Sequence, residues 1–267
     1  MMARKTIAAT AVLSAALATT ALADAQASTL VALTGSQRLV MIDADTATVL
    51  ARVVVSGVDS RLLGIDVRPA DGQLYGLTRK GTVVTIDPAT GVATSRSTLS
   101  QTLPAGVEAA VDFNPVPDRM RIIGTDGTNL RANVDTGAVT QDADINFAQP
   151  NAFGGTTPVV IAAAYSNSVA GAKAAILWDI ENSTDALHIQ LPPNDGVLSG
   201  VGNPLGIQVQ RVGFDIETSA AGINRAWLIN GNVLYQVGLV SGIAMGATPI
   251  QGLTGPVRDL AVLPAQN

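Results

Sequence analysis

The chain contains no cysteine, one histidine and few aromatic residues: two Trp, three Tyr and four Phe among 267 residues. The lack of cysteine excludes a disulfide framework, thiolate metal centres and a cysteine nucleophile. A single imidazole, His188, makes no zinc site without thiolates or paired carboxylates beside it. It lies in an apolar run between Leu187 and Ile189, so alternation turns it away from both, and a surface strand position is expected. No G-x-S-x-G is present to place a serine beside that histidine. No glycine-rich loop has the spacing that cradles phosphate. Charge is sparse as well: 14% of residues are charged, and the formal net charge is −5. An acidic chain lacks the basic patch that nucleic acid or an anionic membrane would require. No window keeps a 3.6-residue amphipathic period over a normal helix length. Hydrophobic residues make up 47% of the chain, too many for disorder.

One long apolar run is present, at the amino terminus. Arg4 and Lys5 precede an Ala-, Leu- and Thr-rich stretch from Ile7 to Leu22. Its 16 residues fall short of the ~20 that span a bilayer. Ala25-Gln26-Ala27 then offers small residues where a signal peptidase reads. Residues 1–27 are therefore expected to be a signal peptide, cleaved before Ser28, with cleavage before Asp24 as the second choice. The mature chain, 28–267, is expected to be one exported domain, periplasmic or extracellular, monomeric and without a membrane span. Losing Arg4, Lys5 and Asp24 takes the net charge to −6, counted from the composition. A core of this size is stable without disulfides.

What fills the rest is repetition. LYGLTRKGTVVTIDPATG from Leu74 returns as LVALTGSQRLVMIDADTA from Leu30 and MRIIGTDGTNLRANVDTG from Met120. Degenerate copies begin at Trp227 and Ile176. A second phrase alternates with the first: GIDVRP from Gly64, AVDFNP from Ala110, GFDIET from Gly213 and DLAVLP from Asp259, with a poor copy, IAAAYS, from Ile161. The period is that of propeller blades, ~40–50 residues. The segments are short, rich in Val, Ile, Leu and Thr, and cut by Gly, Asp-Gly and Pro turns. The expected fold is all-β: a five-bladed β-propeller with four-stranded blades. The second phrase would supply the innermost strands. The chain starts on a second-strand phrase and ends on an innermost one, so both termini would close the last blade and remove its free edges. The stretches Asp142 to Pro158 and Asn194 to Gln208 read as insertions that form loops on a propeller face.

At these motifs the chain resembles a bacterial exported family described as domain of unknown function 4394. DFNPVPDRMRIIGTDGTNLRANVDTG from Asp112 carries the likeness most specifically, with LPPNDGVLSGVGNPLG from Leu191 and GIDVRPADGQLYGL from Gly64. The resemblance covers nearly all of the mature chain and is weakest from Ile161 to Lys173. It implies export and propeller-like repeats, and brings no established activity or catalytic residues with it.

Asp66, Asp112 and Asp215 hold the same place in three innermost phrases, while Ala163 and Ala261 stand near it in the other two. Carboxylates converging on the channel would bind a cation or a sugar, or act as an acid–base pair. The same three residues would equally serve by accepting backbone N–H bonds between blades. Asn114, Arg119, Arg121 and Arg131 crowd the strongest motif, where arginine forks suit carboxylate or phosphate ligands. There the alternative is a turn after Pro115-Val116-Pro117 with the arginines paired to Asp. Asp142-Ala-Asp144-Ile-Asn146 opens like a calcium loop, but Phe147 and Phe153 stand where glycine and glutamate are needed, so no EF-hand forms. Asn194-Asp195-Gly196 and Arg79-Lys80 read as turns. The expected role is a non-catalytic binding module for a small molecule, a glycan or a protein. No cofactor or dedicated metal centre is expected, calcium being the one ion left open. The second reading is a hydrolase of a glycan or lactone using the three inner carboxylates.

Overall fold

A computed structural model describes residues 28–150, 153 and 155–264 of the chain. The expected leader, 1–27, lies outside the described residues. Blade 1 takes β1 (Thr29–Thr34), β2 (Arg38–Asp43) and β3 (Thr48–Val54) from the start of the described chain. Blade 2 is β4 (Leu62–Val67), β5 (Leu74–Thr78), β6 (Thr82–Ile86) and β7 (Ala93–Thr98). Blade 3 is β8 (Ala109–Asn114), β9 (Arg119–Gly124), β10 (Asn129–Ala132) and β11 (Val139–Gln141). A two-residue strand, β12 (Asn146–Phe147), precedes blade 4, which is β13 (Val160–Tyr165), β14 (Leu177–Glu181), β15 (Ala186–Gln190) and β16 (Val197–Pro204). Blade 5 is β17 (Val212–Thr218), β18 (Asn224–Asn230), β19 (Val233–Val237) and β20 (Ala244–Pro249). The final strand, β21 (Val257–Leu263), returns to blade 1 and pairs antiparallel with β1, from Thr29 opposite Leu263 to Thr34 opposite Val257. The result is a five-bladed β-propeller closed by both ends of the described chain.

The chemistry of each strand follows its distance from the axis. Innermost β4 is buried throughout, and so is β5 beside it, whereas outermost β7 is mostly exposed. Both faces of an inner strand meet a neighbouring blade, so inner strands read as continuous apolar runs rather than alternating ones. Five apolar clusters fill the five blade junctions; Tyr75, Val83, Val111, Phe113, Met120 and Ile122, for example, pack between blades 2 and 3. The Asp that ends the third strand of a repeat is a turn residue. The Asp87 carboxylate accepts the N–H of Ala89 at 2.8 Å, and Gly91 closes that turn at φ 75°.

The four-stranded blades are as expected, with one addition: Asn146 and Phe147 lay the two-residue β12 in parallel along the outer edge of blade 4, opposite Val197 and Leu198 of β16. One expectation needs correction. The second stretch read as a loop, Asn194 to Gln208, is largely β16 itself, entered through a short 3-10 turn at Pro193–Asp195. Its pattern is hidden by two glycines and a proline, residues that a central strand avoids and an outer one tolerates.

Candidate functional site

The innermost strand of each blade has one edge with no strand beside it, and that edge faces the axis. Its N–H groups would be buried without partners. The repeated aspartates supply them. The Asp66 carboxylate accepts the N–H of Val67 at 2.6 Å and that of Phe113, in the next blade, at 2.7 Å. Asp215 accepts from Ile216 at 2.6 Å and from Val262 at 2.7 Å. Asp112 accepts from Tyr165 at 3.0 Å. This bonding register puts Ala164, not Ala163, at the equivalent place in blade 4, and Ala261 at that of blade 1.

A fourth carboxylate joins the three. Asp259 lies two residues before Ala261, so it points the same way one step down the channel. Its oxygens accept the N–H of Leu260 at 3.0 Å and of Ile65, across the junction, at 2.8 Å. Asp259 opens the phrase DLAVLP, and strand alternation from Ala261 was the signal that could have found it. Gly64 makes room for it: a Cβ there would stand 2.5 Å from the Asp259 carboxylate.

Asp66, Asp112 and Asp215 are buried, and each offers an oxygen within 4.8 Å of the others. Burial pushes Asp66 and Asp112 well above the usual carboxylate range, and the neighbouring aspartates push further in the same direction. Burial likewise raises Asp215 to about 7, against the pull of two backbone N–H groups, and lifts Asp259 well above the ordinary value. These three oxygens are the donor set a hard cation would take. They do not favour hydrolysis, because both oxygens of Asp66 and of Asp215 already hold backbone N–H groups that tie blade to blade.

The channel opens to one side. A cavity of about 640 Å³ sits at the ends of β4, β17 and β21, with Asp66 and Asp215 among its lining and Ser28, Glu217, Thr218 and Arg225 also around it. Glu217 accepts the Ser28 hydroxyl at 2.5 Å and the Trp227 indole N–H at 3.2 Å. Arg225 approaches the same carboxylate at 3.3 Å and lies over the Trp227 ring.

The arginine-rich motif does not reach this mouth. Asn114 caps its own turn by accepting the N–H of Val116 at 3.0 Å. Arg119 donates to the carbonyls of Pro117 and Asp118 beside it. Arg121 is buried between blades 3 and 4, where it donates to Asn129 and Asp142 at 2.7 Å each, to Asn194 at 2.9 Å and to the Tyr165 hydroxyl at 3.3 Å. Arg131 forks onto Asp142 at 2.6 and 2.9 Å. The carboxylate that opens the calcium-like run is thus occupied by two guanidinium groups.

That junction also holds His188, which is 6% exposed rather than on the surface. Alternation turns it away from Leu187 and Ile189 as expected, but the face it takes is covered by blade 3 and by Phe147, whose ring centre lies 5.7 Å away. Its Nε2 is 3.0 Å from the Thr184 hydroxyl, which donates to Glu181. Burial lowers the His188 pKa, and Glu181 opposes the shift. Asp179, directly across from His188, is fully buried with no protein donor on either oxygen, and burial raises it to about 8 against the nearby Arg121.

Comparisons with known proteins bring no activity to the chain. No functionally curated protein matches the chain. Among the solved structures that resemble it are three of low identity. A protein of unknown function from Bacteroides caccae shares 12% identity over 86% of this chain and 75% of its own, with a TM-score of 0.45. Another from Bacteroides thetaiotaomicron shares 15% over 90% of this chain and 66% of its own, at 0.49. The computationally designed protein Ika8 shares 14% over 86% of this chain and 63% of its own, at 0.39. Residues 38–261 match the family described as domain of unknown function, DUF4394, and the chain belongs to that family.

Proposed function

We propose that the protein is an exported, non-catalytic binding module whose ligand enters the channel mouth and presents a positive charge to the acidic floor. The observation that carries this reading is the cavity of about 640 Å³ with Asp66 and Asp215 in its lining. It is large enough for a small molecule and leads to buried carboxylates whose charged forms repel one another. A calcium ion or an organic ammonium relieves that repulsion and displaces protons from the raised carboxyl groups. Affinity should therefore rise as pH rises through their titration. Sugar rings are usually held by exposed aromatic faces, and both tryptophans here are buried, which turns the reading from a glycan toward a cationic ligand.

The test is a thermal-shift and calorimetric titration of the mature protein with calcium and then with methylammonium, each against an EDTA-treated control. Binding raises the melting midpoint by mass action. At least one probe should raise it at pH 7.5 and less at pH 5.5, and Asp215→Asn should weaken that probe tenfold or more. Identical midpoints with every probe, in both proteins, would overturn the reading. Intact mass of the exported protein tests export separately.

A further inference from the structure

The first described residue stands at the proposed site. The Ser28 hydroxyl donates to Glu217 at 2.5 Å, its carbonyl accepts the N–H of Ala44 at 3.0 Å, and the residue lines the cavity at the channel mouth. The sequence independently places the signal-peptidase bond between Ala27 and Ser28. Resting on the export reading above, we propose that removal of the leader installs a cation at the channel mouth: the new α-ammonium of Ser28, paired with Glu217.

The chemistry is peptide hydrolysis by a signal peptidase. The C–N bond between Ala27 and Ser28 breaks, water gives its hydroxyl to the Ala27 carbonyl, and the released amine of Ser28 takes up protons. One neutral amide N–H becomes an ammonium with three donors. Three covalent bonds separate that nitrogen from the Ser28 hydroxyl oxygen, so it lies within about 6 Å of the Glu217 carboxylate. The other charged groups around it are Arg225, which shares Glu217, the cavity carboxylates Asp66 and Asp215, and Asp43, opposite Thr29 in β2 and already bonded to Thr46. Burial keeps Asp66 and Asp215 largely protonated at neutral pH, so Glu217 and Asp43 face one guanidinium, which leaves room for a second positive charge. Once Glu217 is taken by the terminus, the floor carboxylates are what remains for a ligand, so the cut also directs the ligand inward.

An α-amine titrates near 8 in an open chain. Pairing with Glu217 favours its charged form, so the stability it contributes is complete below that pH and lost as pH rises past it. The experiment compares three forms of the exported protein: unmodified, acetylated on the Ser28 amine, and Glu217→Gln. Mass spectrometry should find Ser28 at the amino terminus. At pH 6.5 the unmodified protein should melt about 1–3 °C above the acetylated one, a shift suited to a partly exposed pair in a domain of this size. The gap should close by pH 10 and be absent when both forms carry Glu217→Gln. A different first residue, no gap at pH 6.5, or a gap that survives Glu217→Gln would each overturn the proposal. Calcium and methylammonium titrations of the same samples read the ligand proposal on its own, so either idea can fail alone.

Discussion

Asp179 shows what one buried side chain does to the pH response of the whole protein. An aspartate in an unfolded chain releases its proton near 4. Burial holds the folded-state value at about 8. Between those limits the unfolded chain has lost a proton that the folded chain still keeps, so raising the pH favours unfolding. The raised axial aspartates act in the same direction. Urea midpoints should therefore fall from pH 5 to pH 8. Asp179→Asn keeps the shape, removes the titration and should shrink that fall by a measurable fraction; an unchanged slope would show that the carboxyl is ionised in the fold. This residue was invisible in the sequence. Its phrase, LWDIE, reads as a degenerate repeat, and only the docking of blade 3 makes its face an interior one. The same docking buries His188, whose strand predicts direction but not cover.

At the level of strands, the repeats were readable because each one carries its own turn chemistry and apolar run. Gly64 and Gly213 begin two of the inner phrases for a reason that only packing reveals. A Cβ on Gly64 would lie 2.5 Å from the Asp259 carboxylate and 2.6 Å from a Val111 methyl, both in neighbouring blades. Gly64→Ala should cost about 1–3 kcal/mol, the usual range for overpacking. Gly200 on outer β16 is the control, since a Cβ there meets nothing nearer than the His188 ring at 3.9 Å. Denaturant titration of the two variants should separate them clearly; equal losses would mean that the junction between blades 2 and 3 yields as easily as the rim. The fifth strand of blade 4 escaped sequence reading because its parallel pairing joins Phe147 to Leu198, residues 51 apart with no repeat between them. The axial site was half readable. Three aspartates were marked by recurrence and Glu217 follows Asp215 by two residues in β17, whereas Asp259 and Ser28 join them through closure of the ring.

For the molecule as a whole, the aspartates and the closing strand do related work. Carboxylates stitch four of the five inner-strand junctions, and β21 stitches the first blade to the last. The central carboxylates are thus the molecule's internal fasteners and, where two of them reach the mouth, its candidate ligand floor. The closing pair also fixes where the molecule can be pulled apart. β1 and β21 run antiparallel, with Thr29 opposite Leu263, so both ends of the strand pair leave at the channel mouth. Tension applied to the two ends acts across the ladder, not along it, and each rung meets the load in turn. Pulled in an optical trap by its termini, the ring should unzip at low force, well below a cysteine-tethered form pulled between β3 and β11. It would begin at the Thr29 rung, beside the mouth, so mechanical opening and loss of the cavity would be one event.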